Sequence, residues 1–250
     1  MIILKLGGSA ITRKHGYMQA DFKSISLLAG AVASAKKRGV ADLIVVHGAG
    51  SFGHAPVIKY KLNEGVKTAA QKKGCVITQK ACAKLSLFVT AALRKKGVDA
   101  VSIPPHEIIA SKNRRISKFD QARIKSALKN GQVPVLYGDM VSDSKLGCSV
   151  CSGDQIIAYL GKNAERLVFA SNVDGVMADC KVVPKISKGN FKSIARHLGC
   201  SGAPDVTGGM AGKIAEIMRT GRPSYIVNAK KPARVTALLL GKKAVSTRLN

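Results

Sequence analysis

Three short segments of the chain combine glycines with lysine or histidine in a way that suits the holding of phosphate groups. The first is Lys5-Leu6-Gly7-Gly8-Ser9, with Lys14 a few residues on. Paired glycines let backbone N–H groups approach an anion, and Lys5 adds a point charge beside them. The second is His47-Gly48-Ala49-Gly50-Ser51-Phe52-Gly53-His54, read as a flexible loop with an imidazole at each end. The third, Asp205-Val206-Thr207-Gly208-Gly209-Met210, opens a helix that carries Lys213 about one turn in. Between them lie Gly138-Asp139, Ser152-Gly153-Asp154 and Ser171-Asn172-Val173-Asp174-Gly175. Asp154 opens a helix, where a carboxylate serves capping as readily as catalysis. His47 equally suits a structural hydrogen bond, whereas His54 sits past the glycines, where it can face a ligand.

Better-known phosphate motifs do not fit. No G-x-x-x-x-G-K-[ST] occurs, so there is no Walker A loop. The literal G-x-G-x-x-G of Gly48 to Gly53 follows the second strand rather than the first. The acidic residue expected ~20 residues later, after a further strand, is also missing, which discounts a dinucleotide site. The six cysteines are too few for a disulfide scaffold in a chain of this length. Cys148-x-x-Cys151 lacks a histidine at ligand spacing, so the cysteines read as reduced side chains in and beside strands.

The 250 residues carry 41 Lys+Arg against 14 Asp+Glu, a net charge of +27. Such a charge draws anionic ligands to the surface. It does not make a dedicated nucleic-acid face. The positive residues come in short clusters such as Lys36-Lys37-Arg38 and Arg94-Lys95-Lys96, and aromatics are only 4% with no Trp, leaving little for base stacking. No apolar run approaches the ~18 residues of a membrane span. Lys5 interrupts what a signal peptide would need as its apolar stretch, so a cytoplasmic protein is expected.

The elements that must position these segments alternate. Apolar runs predict strands at 2–6, 43–46, 98–103, 133–137, 166–170 and 224–227. Helical periodicity covers 20–38, 63–96 with an interruption near Gly74, 119–129, 154–162, 190–199, 209–220 and 232–240. Residues 140–141 and 149–150 read as a hairpin. Alternation of this kind means an α/β fold with a mainly parallel sheet covered on both faces, with ligands beyond the carboxyl ends of the strands. One domain is expected, with lobes of about 1–160 and 161–250 and no appended regulatory domain.

Together the motifs resemble the amino acid kinase superfamily and, within it, the isopentenyl phosphate kinases. K-L-G-G-S, D-G-V and T-G-G-M…K are the superfamily-level signals, and H-G-A-G-S-F-G-H is the more specific one. Ala49 stands where glycine is common in the family, and Asn172 where aspartate occurs. The resemblance implies a three-layer αβα sandwich with an open sheet. Acceptor would bind over the N-terminal half and ATP over the C-terminal half, in a homodimer. It assigns Lys5, Gly7, Gly8, Ser9 and Gly50 to the ATP phosphates, and Asn172, Gly208, Gly209 and Lys213 to the nucleotide. It assigns Lys14 to the transition state, Ala49, His54 and Gly153 to the acceptor phosphate, and Asp154 to the organising aspartate between Lys5 and Lys213.

The implied reaction is ATP-dependent phosphorylation of isopentenyl phosphate to the diphosphate, in isoprenoid biosynthesis. Mg²⁺ would be carried on the nucleotide, with no metal ligands from the protein. The helical stretch 63–96, through Val66, Ala69, Ala70, Val76, Ile77, Ala81 and Leu85, would wall the acceptor's tail, although each also suits packing on the sheet. The alternatives are a kinase of the same fold acting on a phosphonate such as fosfomycin, on UMP or on a carboxylate, and a basic nucleic-acid-binding protein.

Overall fold

The computed structural model describes residues 1–13, 16–178, 181–196 and 209–250, without the side chains of Arg196, Gly209 to Ala211 and Lys213. In chain order the elements are β1 (Ile2–Leu6), α1 (Gly8–Ile11), α2 (Phe22–Lys37), β2 (Leu43–His47), α3 (Gly50–Lys59) and α4 (Ala69–Lys95). Then come β3 (Ala100–Ser102), α5 (Pro105–Ile108), β4 (Ile109–Lys112), β5 (Arg115–Phe119), α6 (Ala122–Lys129) and β6 (Val133–Tyr137). They are followed by β7 (Asp139–Asp143), β8 (Gly147–Cys151), α7 (Gly153–Leu160), β9 (Arg166–Ser171), β10 (Met177–Ala178) and β11 (Lys181–Val182). The rest are β12 (Lys185–Ile186), α8 (Lys188–Arg196), α9 (Gly209–Met218), β13 (Ser224–Asn228), α10 (Pro232–Leu239) and β14 (Thr247–Leu249).

Eight strands form one sheet in the order β12-β14-β13-β9-β1-β2-β6-β3. The run from β13 to β3 is parallel, and β14 turns back antiparallel to β13 at one side. Alternation along β1 and β2 fills both faces. Ile2, Leu4, Leu43 and Val45 join a core with α2, α4 and α10, while Ile3, Ile44 and Val46 join one with α7 and α9. The chain is therefore the expected three-layer αβα sandwich. A smaller four-stranded sheet, β5-β4-β7-β8, stands beside it.

Several local expectations need correction. The Gly50 to His54 segment is not a loop but the start of α3, with Gly50 in the left-handed region at φ 51°. Residues 119–121 are not helical: Phe119 ends β5, and Asp120 accepts a hydrogen bond from the Ala122 N–H just ahead of α6. The β4–β5 hairpin went unread because its turn uses Asn113 and Arg114, both at positive φ, instead of glycine. α4 runs without a break through Gly74, where a Cβ would lie 2.4 Å from the Tyr60 ring, so the glycine permits close packing. α4 is also long and apolar enough, at mean hydropathy 1.3 over its best window, to match the composition of a membrane span. In the fold it is a core helix that buries Leu85, Val89 and Leu93 beside the sheet.

Candidate active site

Parallel registry brings the predicted segments to one edge. Leu6 lies opposite both His47 and Ala170, His47 opposite Tyr137, and Ser171 opposite Asn228. Beyond the strands, the Gly7 N–H donates to Ala170 O at 2.8 Å, and the Gly48 N–H to Leu6 O at 2.9 Å. The Gly138 N–H donates to His47 O, also at 2.9 Å. Three glycine turns thus leave the sheet side by side.

The first two turns touch backbone to backbone. A Cβ on Gly8 would lie 2.5 Å from Gly50 N, and one on Gly48 would lie 2.6 Å from Gly8 N. Thr12, buried at 4% exposure, pins them together. Its hydroxyl donates to Gly8 O at 2.9 Å and accepts from Ser51 N–H at 3.1 Å. This residue was missed in the sequence, where a threonine four residues past a glycine carries no distinctive signal. No side chain caps α1, and although Thr12 takes the Ser51 N–H of α3, the N–H groups of Gly8, Ser9 and Gly50 make no hydrogen bond among the described residues and are left for a ligand.

Lys5 shares the parity of Ile3 in β1 and so points toward α7. Its Nζ lies 2.5 Å from Asp154 Oδ1, with the two side chains 9% and 23% exposed. The cap of α7 is Ser152, whose hydroxyl accepts from Gln155 N–H at 3.2 Å. Asp154 is therefore free of capping and holds the lysine. A buried ammonium needs such a partner, and the pair fixes Lys5 beside the glycine turns.

Ala49, Gly138 and Gly153 also converge. A Cβ on Gly138 would sit 3.5 Å from the amide nitrogens of both Ala49 and Gly153. His54 is on α3 one turn past Gly50, on the same face, and is exposed. His47 behaves differently. It is fully buried and stacks on Tyr137 at 5.4 Å between ring centroids. Its Nδ1 lies 3.1 Å from Gly48 O, which can only accept, so Nδ1 carries the proton. Burial lowers its pKa to about 4, so the ring is neutral and structural at neutral pH.

On the other side of β1, Asn172 Nδ2 donates to Ser9 O at 2.8 Å, tying the two turns in a way an aspartate could not. Asp174 is held by Arg234 Nη1 at 2.6 Å and Asn228 Nδ2 at 3.1 Å. Gly209 begins α9, which packs on α7. Lys14 and Gly208 lie outside the described residues, as does the side chain of Lys213. A further pair unread from sequence is His106 Nδ1 with buried Asp139 Oδ2, 2.7 Å apart. The hydrogen bond to that carboxylate raises the His106 pKa. Among the described residues no three His, Cys, Asp or Glu side chains group as metal ligands. A cavity of about 190 Å³ between Val101, Ile103 and α6 lies at the β3 edge, away from these turns.

An open αβα sheet whose carboxyl edge pairs glycine turns with a buried lysine–aspartate pair is the frame of a small-molecule kinase. The chain belongs to the amino acid kinase family, whose model matches residues 1–228. Within that family it is similar to isopentenyl phosphate kinases. The one from Methanothermobacter thermautotrophicus is 37% identical, across all of this chain and 98% of that protein. The one from Methanocaldococcus jannaschii is 34% identical, across 96% of this chain and 95% of that protein. A solved isopentenyl phosphate kinase superposes with a TM-score of 0.82 at 33% identity, covering 99% of each chain.

Proposed function

We propose that this protein transfers the γ-phosphoryl group of ATP to isopentenyl phosphate, giving isopentenyl diphosphate. The observation that carries the reading is the junction of two glycine turns beside the Lys5–Asp154 pair, in a chain similar along its whole length to isopentenyl phosphate kinases. The nucleophile is an oxygen of a phosphate monoester, whose second pKa of about 6 leaves it mostly deprotonated at neutral pH. The protein then needs no general base. Its task is to bring two polyanions together in line and to offset their charge.

The residues divide that task. Lys5 and the N–H groups of Gly8, Ser9 and Gly50 meet the ATP phosphates, Gly7, whose N–H is held by Ala170 O, sets the turn beside them, and Asp154 orients Lys5. Asn172 steadies Ser9 and so serves the nucleotide through that turn. Lys14 and Lys213 supply charge to the transferring group, with Gly208 and Gly209 at the nucleotide. The N–H groups of Ala49 and Gly153, with a ring N–H of His54, hold the acceptor phosphate. Mg²⁺, bound to the nucleotide with waters completing its shell, adds positive charge across the phosphates when present. A lone carboxylate already engaged with Lys5 fits that arrangement better than a protein-built metal cage.

Of the expected tail wall, Ala69, Ala70 and Val76 of α4 are exposed and Ile77 is half-buried, while Ala81 and Leu85 pack in the core beside the sheet. Half-buried Val66 instead joins Val57, Leu62, Cys75, Met140 and Cys148 in an apolar cluster beside α3, which suits a short branched hydrocarbon. Exposed Phe22, Leu27 and Leu87 on α2 and α4 offer an apolar surface for a homodimer.

The test is ADP release by the purified protein with MgATP and isopentenyl phosphate, dimethylallyl phosphate, UMP, fosfomycin or N-acetylglutamate. Turnover is expected with isopentenyl phosphate. Turnover only with UMP or a carboxylate would overturn the acceptor assignment.

A further inference from the structure

The phosphate chemistry makes no use of one juxtaposition in the fold. Cys75, on the buried face of α4, and Cys148, on β8, are 73 residues apart in sequence, yet their Sγ atoms are 2.8 Å apart. Sulfurs this close, on side chains from separate elements, are within reach of a disulfide bond. The C-x-x-C spacing did not reveal this pair. An odd separation along a strand puts Cys148 and Cys151 on opposite faces, and Cys151 joins the core below the main sheet. The partner of Cys148 comes from a helix that no local pattern links to it.

Either thiol can donate the S–H···S hydrogen bond. With Cys148 as the donor, the bond lowers the Cys75 pKa against the effect of burial and raises that of Cys148, which makes Cys75 the attacking thiolate. Burial pushes the Cys82 and Cys151 thiols up, the latter to about 12, so neither competes as a thiolate. Both members of the pair are nearly enclosed, at 7% and 8% exposure, which favours a small oxidant over a bulky one.

We propose that Cys75 and Cys148 are a reversible dithiol–disulfide pair that hydrogen peroxide oxidises, tying α4 to the β7–β8 hairpin and tightening the acceptor side of the site. The Cys75 thiolate attacks one peroxide oxygen, so that an S–O bond forms and the O–O bond breaks. The departing hydroxide takes a proton to become water. The Cys148 sulfur then displaces the sulfenic hydroxyl, which leaves as a second water with the Cys148 proton, and the S–S bond forms. Two thiols have lost two protons and two electrons, and one peroxide has become two waters. A disulfide spans about 2.05 Å, so closure from 2.8 Å draws α4 and β8 together by less than an ångström.

The bond itself is independent of the acceptor assignment, whereas its kinetic effect rests on that reading. The full-length protein is treated with limiting hydrogen peroxide, its remaining thiols are alkylated under denaturing conditions, and its peptides are mapped by mass spectrometry. The expected product is a cross-linked peptide pair holding Cys75 and Cys148, two hydrogen masses lighter and restored by dithiothreitol. Cys151→Ala should leave it intact, and Cys148→Ala should abolish it. In the oxidised protein KM for isopentenyl phosphate should rise about three- to tenfold with KM for ATP unchanged, as a small displacement at the acceptor side requires. Peroxide treatment that leaves both thiols alkylatable, or carries Cys75 to sulfinic acid without a bridge, overturns the pair. A bridge that leaves acceptor KM unchanged overturns its coupling to the site. A bridge in a protein that never turns over isopentenyl phosphate leaves the pair standing and sinks the acceptor assignment instead.

Discussion

Glycines meet at the carboxyl edge of the sheet for two different physical reasons. At Gly8, Gly48 and Gly50 one turn lies against the other, and an added Cβ would come within 2.3–2.6 Å of a neighbouring atom. At Gly138 and Gly153 an added Cβ would meet nothing closer than 3.4 Å, an ordinary contact. The first set needs glycine for the fold to close. The second set admits a Cβ in ordinary contact, at Gly138 over the amides of Ala49 and Gly153 and at Gly153 against His47 O and Val46. Glycine is therefore required by backbone contact in one place and not in the other.

The largest effect that separates the two sets is expected from Gly8→Ala. Relief of a 2.5 Å contact against backbone must move a whole turn, at a cost of about 1–3 kcal/mol for overpacking. Thermal midpoint, ATP binding and acceptor turnover should all fall together, and a variant with a normal midpoint would break the distinction. Lys5→Ala should be next. Removing a preorganised charge costs on the order of 3 kcal/mol, or about a hundredfold in kcat. An unchanged kcat in a folded variant would remove Lys5 from the mechanism. Gly138→Ala should keep its midpoint and ATP affinity while raising acceptor KM about tenfold, since its Cβ would sit over the amides of Ala49 and Gly153 proposed to hold the acceptor phosphate. Equal losses for ATP and acceptor would place Gly138 in the scaffold set.

The last effect appears only on acidification and concerns His47, which braces the second turn from below. Its pKa is about 4 in the fold against 6.5 for a free imidazole, so the folded state resists protonation. Its contribution is fully present above about pH 6.5 and is lost as pH falls toward 4, on the order of 3 kcal/mol in all. The midpoint should decline across that window, and His47→Asn should flatten the decline. An identical decline in both proteins would assign the acid sensitivity elsewhere, with Asp143 the next group to examine. Burial raises the Asp143 pKa, but hydrogen bonds from the Arg114, Lys145 and Leu146 N–H groups outweigh it and lower the pKa. Its contribution is therefore lost only at still lower pH.

The sequence made the main sheet legible because each buried strand is a short apolar run closed by glycine or proline, as in Ile2 to Leu6 before Gly7-Gly8. The glycine turns were legible for the same reason, since their chemistry is local. What stayed hidden depends on contacts between distant segments. Thr12 became a bridge only because Gly8 and Ser51 fold onto it, and the pairing of Asp154 with a lysine 149 residues away was legible only through the family resemblance. The helical state of Gly50 to Lys59 was obscured by its glycines and Pro56, whose propensities argue for a loop. On α4 the apolar residues were counted correctly, but the face they occupy is fixed by packing on the sheet and on α3.

The central claim is that α3 presents His54 to the acceptor phosphate while the glycine turns beside it hold ATP. It is tested most directly by titrating isopentenyl phosphate calorimetrically into native protein and His54→Ala, each saturated with a non-hydrolysable ATP analogue and Mg²⁺. A hydrogen bond to a charged phosphate is worth roughly 1.5–3 kcal/mol, so the acceptor Kd should rise about ten- to hundredfold. The Kd of the ATP analogue and the thermal midpoint should stay near the native values. An unchanged acceptor Kd, or equal losses for analogue and acceptor with a lowered midpoint, would contradict the account.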